Sequence, residues 1–388
     1  MSVLRVFILA GEPSGDKLGG ALMAGLKSLR PDVEFEGIGG PHMQSEGLVS
    51  RFDMAELSVM GLAEILPKYR HLKRRIAQTA EAVAAMRPDV LITIDSPDFS
   101  LRVAKLVKAR SDIRTIHYVA PTVWAWRPGR AAKMARHIDQ VLALLPFEPP
   151  LMQAAGMRCD FVGHPVVAEP VASDADAQAF RAAHGIGGAP LLMVLPGSRR
   201  SEVARLGARF GEAVKRVKAV HPEMQIVVPA AAPVADAVLH LTADWPDTTV
   251  LDPRWQPYDA AMTEKRAAFR AADVAVAASG TVSLELAAAE TPMVIAYDMS
   301  PLSRFIIGRM LLVDTVTLVN LVSETRAVPE FIGKACQPEG IAQAVSDVLK
   351  NPEPQRAAMA LTMQRLGQGG EAPGLRAARA VLDGLQPR

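Results

Sequence analysis

Val90-Leu-Ile-Thr-Ile-Asp-Ser-Pro-Asp-Phe-Ser100 divides into a strand, a turn and a helix start. Val90, Leu91, Ile92, Thr93 and Ile94 form a continuous β-branched or apolar run, the pattern of a parallel strand covered on both faces. Ser96-Pro97 reads as a helix entry, with serine as the N-cap and proline at the first helical position. Asp95 therefore falls at the carboxyl edge of a sheet, where open α/β folds bind their ligands. The two carboxylates are not equivalent. Asp98 lies in the first helical turn, where the helix dipole alone favours an acid. Asp95 is the one placed for chemistry.

The same pattern repeats on either side. Residues 3–10 read as a buried strand that runs into Gly11-Glu12-Pro13-Ser14-Gly15-Asp16-Lys17-Leu18-Gly19-Gly20 and an apolar-periodic helix. A strand, a glycine turn and a helix start make a corner that accepts an anion or ligand. The spacing is neither G-x-G-x-x-G nor a P-loop, since three residues separate Gly11 from Gly15 and an aspartate follows. A plain tight turn is the alternative to a site built on Ser14, Gly15 and Asp16. Strands near 33–38, 113–119, 140–145 and 159–162 complete the first series. The loop after the strand at 113–119 carries Trp124, Trp126 and Arg127. Loop aromatics beside an arginine suit a sugar or lipid contact, or else cap the core.

Gly163-His164-Pro165 reads as a linker, and a second α/β series follows. Its strands are expected near 191–195, 225–228, 249–251, 274–277 and 292–297, with another ending at 317–321. Two corners stand out. Pro196-Gly197-Ser198-Arg199-Arg200 combines glycine, hydroxyl and cation between a strand and a helix, an anion site by composition. Ala278-Ser279-Gly280-Thr281 offers backbone N–H groups and hydroxyls to a phosphate, and Glu285, one turn on, reaches for a ribose diol. Amphipathic helices fill the tail from Pro338. The fold class is α/β, with two facing Rossmann-like domains and the ligand expected in the cleft between them.

The 388 residues are too many for one ordinary core, and 22% charged against 49% hydrophobic is a globular balance. A formal net charge of +2 carries no nucleic-acid footprint. Residues 1–165 hold 21 Lys and Arg against 17 Asp and Glu, and the remainder 22 against 24, so the positive excess is amino-terminal. Part of it is concentrated in Lys68-Tyr-Arg70-His-Leu-Lys73-Arg74-Arg75, directly after an apolar stretch that includes Ile65 and Leu66. Apolar residues beside a basic cluster fit an interfacial segment, although an ordinary helix with a solvated basic face has the same composition. Cys159 and Cys336 have no metal-ligand neighbours and read as free thiols in a reducing compartment. The first ten residues hold too short an apolar run for a signal peptide, and no run of eighteen apolar residues exists to span a bilayer. The chain is expected in the cytoplasm, at most attached to a membrane.

These residues resemble the lipid-A-disaccharide synthase family. The motifs are A-G-E-P-S-G-D-x-L-G at 10–19, G-G-P-x-M-x-x-E-G at 39–47, V-M-G-L-x-E at 59–64 and I-D-S-P-D-F at 94–99. They continue with H-Y-V-A-P-T-V-W-A-W-R at 117–127, L-P-F-E at 145–148, L-P-G-S-R at 195–199, A-S-G-T at 278–281 and P-E-F-I at 329–332. The resemblance spans nearly the whole chain. It implies the glycosyltransferase B fold, with a domain at 1–165 for the acceptor and the membrane, a UDP-sugar domain at 166–340, and helices at 341–388 crossing back to the first. Some members exchange that last region between subunits, which leaves room for a homodimer.

The implied reaction is an inverting transfer with no metal and no cofactor. It joins UDP-2,3-diacylglucosamine to 2,3-diacylglucosamine 1-phosphate and releases UDP. Asp95 matches the general base for the acceptor 6-hydroxyl, a step that needs a carboxylate within hydrogen-bond reach. Ser198, Arg199, Ser279, Gly280, Thr281, Glu285 and Asn320 match donor-binding positions, with Val319 where the family usually has proline. Ser14, Gly15, Asp16, Trp124 and Trp126 fall on the acceptor side. Because both substrates are acylated, Ile65, Leu66, Lys68, Arg70, Lys73, Arg74 and Arg75 are expected to face an anionic membrane surface, the inner membrane seen from the cytoplasm. A UDP-N-acetylglucosamine 2-epimerase on the same scaffold would need no such surface. A non-catalytic lipid- or nucleotide-binding protein would have no transfer to lose.

Overall fold

The computed structural model describes residues 3–57, 62–300, 304 and 308–386, with backbone alone for 62–69. Its strands form two six-stranded parallel sheets. The first contains β1 (Leu4–Ala10), β2 (Val33–Ile38), β3 (Val90–Ile94), β4 (Arg114–Tyr118), β5 (Gln140–Ala143) and β6 (Arg158–Phe161), in the order β2-β1-β3-β4-β5-β6. The second contains β7 (Leu191–Leu195), β8 (Gln225–Pro229), β9 (Thr248–Leu251), β10 (Val274–Ala277), β11 (Met293–Tyr297) and β12 (Glu330–Ile332), in the order β12-β11-β10-β7-β8-β9. Every residue of β3 and β7 is buried, as their unbroken apolar runs require.

Each sheet reverses its order once. In the first the reversal lies between β1 and β3, whose last paired residues are Ala10 and Ile94. In the second it lies between β7 and β10, where Leu195 pairs with Ala277. Parallel connections cross right-handed, so crossovers running in opposite senses from such a pair put their helices on opposite faces. The packing agrees. The helices Leu62–Met86 and Pro97–Lys108, whose connections run the same way, contact each other, while Pro13–Leu29 packs elsewhere, against Pro373–Leu385. The loops after Ala10, Ile94, Leu195 and Ala277 are left uncovered at the two switch points, where α/β sheets take their ligands.

The chain divides into two compact units, one running to Ala168 and resuming at Leu366, the other spanning Glu169–Arg365. This narrows the expected return of residues 341–388. The helices Pro338–Lys350 and Glu353–Arg365 belong to the second unit, and only Pro373–Leu385 joins the first. The strand expected at 317–321 is instead part of a helix, Leu318–Ser323. Its buried residues are Val319, Asn320, Val322 and Ser323, a spacing of three and four rather than an alternation. The edge strand comes later, as β12.

The returning helix sits very close to the first one. A Cβ built on Gly374 would lie 2.6 Å from the Ala21 carbonyl oxygen, and one on Gly25 would lie 2.6 Å from the Gly374 carbonyl oxygen. Backbone faces backbone here, so no side chain can swing aside. Gly374→Val should therefore lower the urea midpoint of the first unit, at a cost of about 1–3 kcal/mol. An unaltered midpoint would show that the two helices separate without penalty.

Candidate active site

Asp95 follows β3 directly, and its N–H donates to the Tyr118 carbonyl at 3.0 Å, extending the ladder by one bond. Beyond that bond the chain turns sharply. Asp95 and Ser96 are consecutive non-glycine residues in the left-handed region, with φ of 48° and 44°. Each such residue costs on the order of 1–3 kcal/mol and persists where its surroundings hold it. The Asp95 carboxylate is partly exposed and has no hydrogen-bond or ion-pair partner among the described residues. Asp98 is exposed, with Arg102 4.0 Å away, in keeping with a surface acid on a helix start.

Ser96 does not cap its helix through its hydroxyl, contrary to the sequence pattern. The left-handed turn leaves Oγ buried without a partner, and the Ser96 carbonyl accepts the N–H groups of Phe99 and Ser100. A Cβ on Gly11 would lie 2.6 Å from that Oγ, which explains the glycine opposite the turn. One layer below, Thr93 Oγ1 lies 2.7 Å from His117 Nδ1. Burial pushes His117 down to about 4, so it is neutral there at physiological pH.

Asp16 turns into the fold. It is 1% exposed, and its carboxylate accepts the N–H groups of Gly40, His42 and Met43 at 2.7, 2.9 and 3.0 Å. These are donors at the start of the short helix Pro41–Ser45, so the acid holds a neighbouring turn. Gly15 is buried against Ala10 and Ile94, and Ser14 is exposed.

The tryptophan loop is braced from behind. Trp124 meets Phe147 edge-on at 5.4 Å, and its Nε1 donates to Glu148 Oε1 at 3.4 Å. Glu148 is buried and also accepts the Leu145 N–H at 3.0 Å, yet desolvation pushes its carboxyl up to about 7. Trp126 Nε1 donates to Thr122 Oγ1 at 3.1 Å. Glu148 belongs to L-P-F-E and Trp124 to the tryptophan loop, both visible in the sequence, but nothing in the sequence pairs them.

The basic segment lies on the helix Leu62–Met86. Arg70, Lys73 and Arg74 are exposed, and the side chains of Ile65, Leu66 and Lys68 lie outside the described residues. Arg75 does not join the exposed set. Its Nε and Nη2 each donate to the Glu56 carboxylate at 2.8 Å, and its guanidinium stacks 4.3 Å from the Phe52 ring centre. A carboxylate nineteen residues earlier has drawn it into the fold.

In the second unit the two corners line one cavity of about 820 Å³, together with Glu285, Arg254, Tyr258 and Lys265. Ser279, Gly280 and Thr281 form its β10 side, and no described residue accepts their backbone N–H groups. Across the switch point, the N–H groups of Ser198 and Arg199 donate to Glu202 Oε2 at 3.2 and 3.3 Å, and the Arg199 guanidinium meets Oε1 at 3.0 Å. An anion already occupies that turn, supplied by the chain itself. Glu285 is exposed and paired with Lys265 Nζ at 2.7 Å. Asn320 does not line this cavity. It is buried, and its amide bonds Thr315 Oγ1, the Val328 carbonyl and the Val328 N–H, holding the 315–328 loop in place. Tyr258 opens the helix Tyr258–Ala271 and Lys265 lies two turns along it, and no glycine corner marks either in the sequence.

A family model described as "Lipid-A-disaccharide synthetase" matches residues 6–380. The chain is 68% identical over 385 residues to a protein of Ruegeria pomeroyi named lipid-A-disaccharide synthase, covering 99% of this chain and 96% of that one. A protein of the same name from Rhodospirillum centenum is 46% identical over 396 residues, with 100% and 96% covered. Among solved structures, UDP-GlcNAc 2-epimerase from Neisseria meningitidis bound to UDP-GlcNAc aligns with a TM-score of 0.62 at 12% identity, over 99% of both chains. The Methanocaldococcus jannaschii enzyme of that name, in complex with UDP-GlcNAc and UDP, aligns at 0.56 with 13% identity over 98% of both. At such identities the epimerases share the fold alone.

The buried Glu148 carboxyl generates a pH prediction. It keeps its proton in the folded chain up to about pH 7, whereas the unfolded chain releases it near the ordinary value of 4.5. Folded protein then binds more protons than unfolded protein between those values, and stability falls as pH rises through that window, by about 3 kcal/mol. Glu148→Gln should remove that fall, so its denaturation midpoint gains on the parent's between about pH 5 and pH 7.5. Parallel midpoints across the range would show an ordinary carboxyl.

Proposed function

The chain belongs to the lipid-A-disaccharide synthase family and is a glycosyltransferase of lipid A biosynthesis; from that premise we propose that it transfers the glucosamine of UDP-2,3-diacylglucosamine to 2,3-diacylglucosamine 1-phosphate. The observation that carries this reading is the unengaged Asp95 carboxylate at the β1/β3 switch point, in a chain that matches the family from end to end. Asp95 takes the proton of the acceptor 6-hydroxyl as that oxygen bonds the anomeric carbon. The bond from the anomeric carbon to the UDP oxygen breaks, its electron pair leaves with UDP, and the configuration inverts to the β-linked disaccharide. A positioned base contributes about 10²–10⁴-fold to such a step.

The second unit serves the leaving group. The open N–H groups of Ser279, Gly280 and Thr281, with the Ser198 hydroxyl and the guanidinium donors of Arg199 that Glu202 leaves over, offset the charge that gathers on the diphosphate. Glu285 accepts the ribose hydroxyls with lone pairs that its Lys265 pairing leaves over. Asn320 acts through the shape of its loop. Asp95→Asn should lower kcat by 10²-fold or more, scored as disaccharide lipid formed, while UDP-sugar affinity by calorimetry stays within about two-fold. A variant with parental turnover removes Asp95 from the chemistry, and UDP release without acceptor points to hydrolysis.

Among the described residues no helix is long and apolar enough to cross a membrane. The proposed location is the cytoplasmic face of the inner membrane, held peripherally through the helix Leu62–Met86. Its exposed Arg70, Lys73 and Arg74 support that reading, each worth about 1 kcal/mol near an anionic surface. Replacing all three with glutamate should weaken flotation with anionic vesicles by about 10²-fold or more. Vesicle association equal to the parent's would overturn the assignment.

A further inference from the structure

We propose that Arg127 and Arg130, gathered on the indole of Trp126, bind the phosphate monoester of the acceptor sugar. This rests on the transfer reading above and names the group that one of its substrates presents to the first unit.

Both guanidiniums address one ring, Arg127 at 4.3 Å and Arg130 at 5.9 Å from its centre. Neither has a hydrogen bond or an ion pair with any other described residue. Three other arginines of this unit are neutralised by the chain, Arg51 by Glu36, Arg75 by Glu56 and Arg158 by Asp160. No such partner is available locally. Between Asp112 and Asp139 the sequence has Arg114, Arg127, Arg130, Lys133 and Arg136, and no acid. Two guanidiniums gathered on one indole without a balancing carboxylate favour an anion, and a dianion most.

The placement relates the pair to the chemistry. The loop leaves β4 at Tyr118, which lies opposite Ile94 in the register of β3 and β4, one residue before Asp95. Arg127 thus stands on the loop that leaves the strand next to β3, and Arg130 in the first turn of the helix that follows, Gly129–Met134. Left-handed backbone appears at both ends of it, at Val119 with φ of 85° and at Arg127 with φ of 52°. For a β-branched residue that geometry is rare, and strain of this kind gathers where a chain must present a ligand-binding group. The loop is also braced through Trp124 on Glu148 and Phe147 and through Trp126 on Thr122. Stacking on a held indole limits the guanidinium before any ligand arrives, which reduces the entropy lost on binding. A phosphate monoester carries close to two negative charges at neutral pH and presents three oxygens, a match for two planar forks. A neutral sugar hydroxyl needs neither.

The test compares two acceptors, 2,3-diacylglucosamine bearing a 1-phosphate and its analogue with a free 1-hydroxyl, in neutral detergent micelles and again in micelles doped with an anionic lipid. The full-length parent should prefer the phosphorylated acceptor in kcat/KM. In the double variant Arg127→Gln, Arg130→Gln that preference should collapse by about 10–100-fold, through the KM for the phosphorylated acceptor, with the KM for UDP-sugar unmoved. Arg127→Lys should restore part of it, since a point charge replaces the fork but not its geometry. A double variant that keeps the parent's preference overturns the proposal, and so does one that falls equally on both acceptors. A loss confined to micelles containing anionic lipid overturns it in favour of a headgroup as the bound anion. A parent that makes disaccharide from neither acceptor overturns the transfer reading itself, a result visible before any variant is made.

Discussion

Both units depend on a pair of parallel strands that part company after their last hydrogen bond. β1 and β3 separate beyond Ala10 and Ile94, β7 and β10 beyond Leu195 and Ala277. Right-handed crossovers send the following helices to opposite faces, so nothing in the sheet closes the gap. The price is paid in local conformation. Asp95 and Ser96 occupy left-handed backbone, and Gly11 stands opposite because nothing larger fits. What holds the turn in place is β3 beneath it, whose five residues are all buried.

The two switch points are chemically unlike. The first presents a carboxylate with no partner among the described residues, over a neutral His117 and an apolar strand. The second presents N–H groups and cations, and at one of its turns the chain has put Glu202 where an anion belongs. In the proposed transfer, a proton acceptor in one unit and stabilisers of negative charge in the other meet the two electrostatic demands of a step that ends with a diphosphate leaving. The fold supplies both from one rule of topology, varied only in the loop residues.

Strands and corners were legible because their signals are local: unbroken apolar runs, then glycine and hydroxyl residues at the turn. Polar side chains were harder to place, since a sequence gives their type and not their partner. Asp16 is spent on N–H groups at Gly40, His42 and Met43, and Arg75 on Glu56, in both cases after a long excursion of the chain. Asn320 closes a loop on Val328, and Ser96 loses its capping role to a backbone conformation that Ser-Pro does not announce. The helical 318–323 segment was misread as strand because a short apolar run carries no reliable period. Lys265 and Tyr258 enter the cavity of the second unit from an ordinary helix and leave no mark in the sequence.

The helix Pro373–Leu385 fits its groove on Pro13–Leu29 with backbone against backbone, and it follows the whole of the second unit in the chain. During synthesis residues 169–365 therefore emerge complete, while the unit begun first still lacks a wall. Until the ribosome reaches the final helix, the surface around Gly25 stays open to water or to a chaperone. The order of folding is thereby the reverse of the order of numbering, and the half that carries Asp95 is the last to be finished.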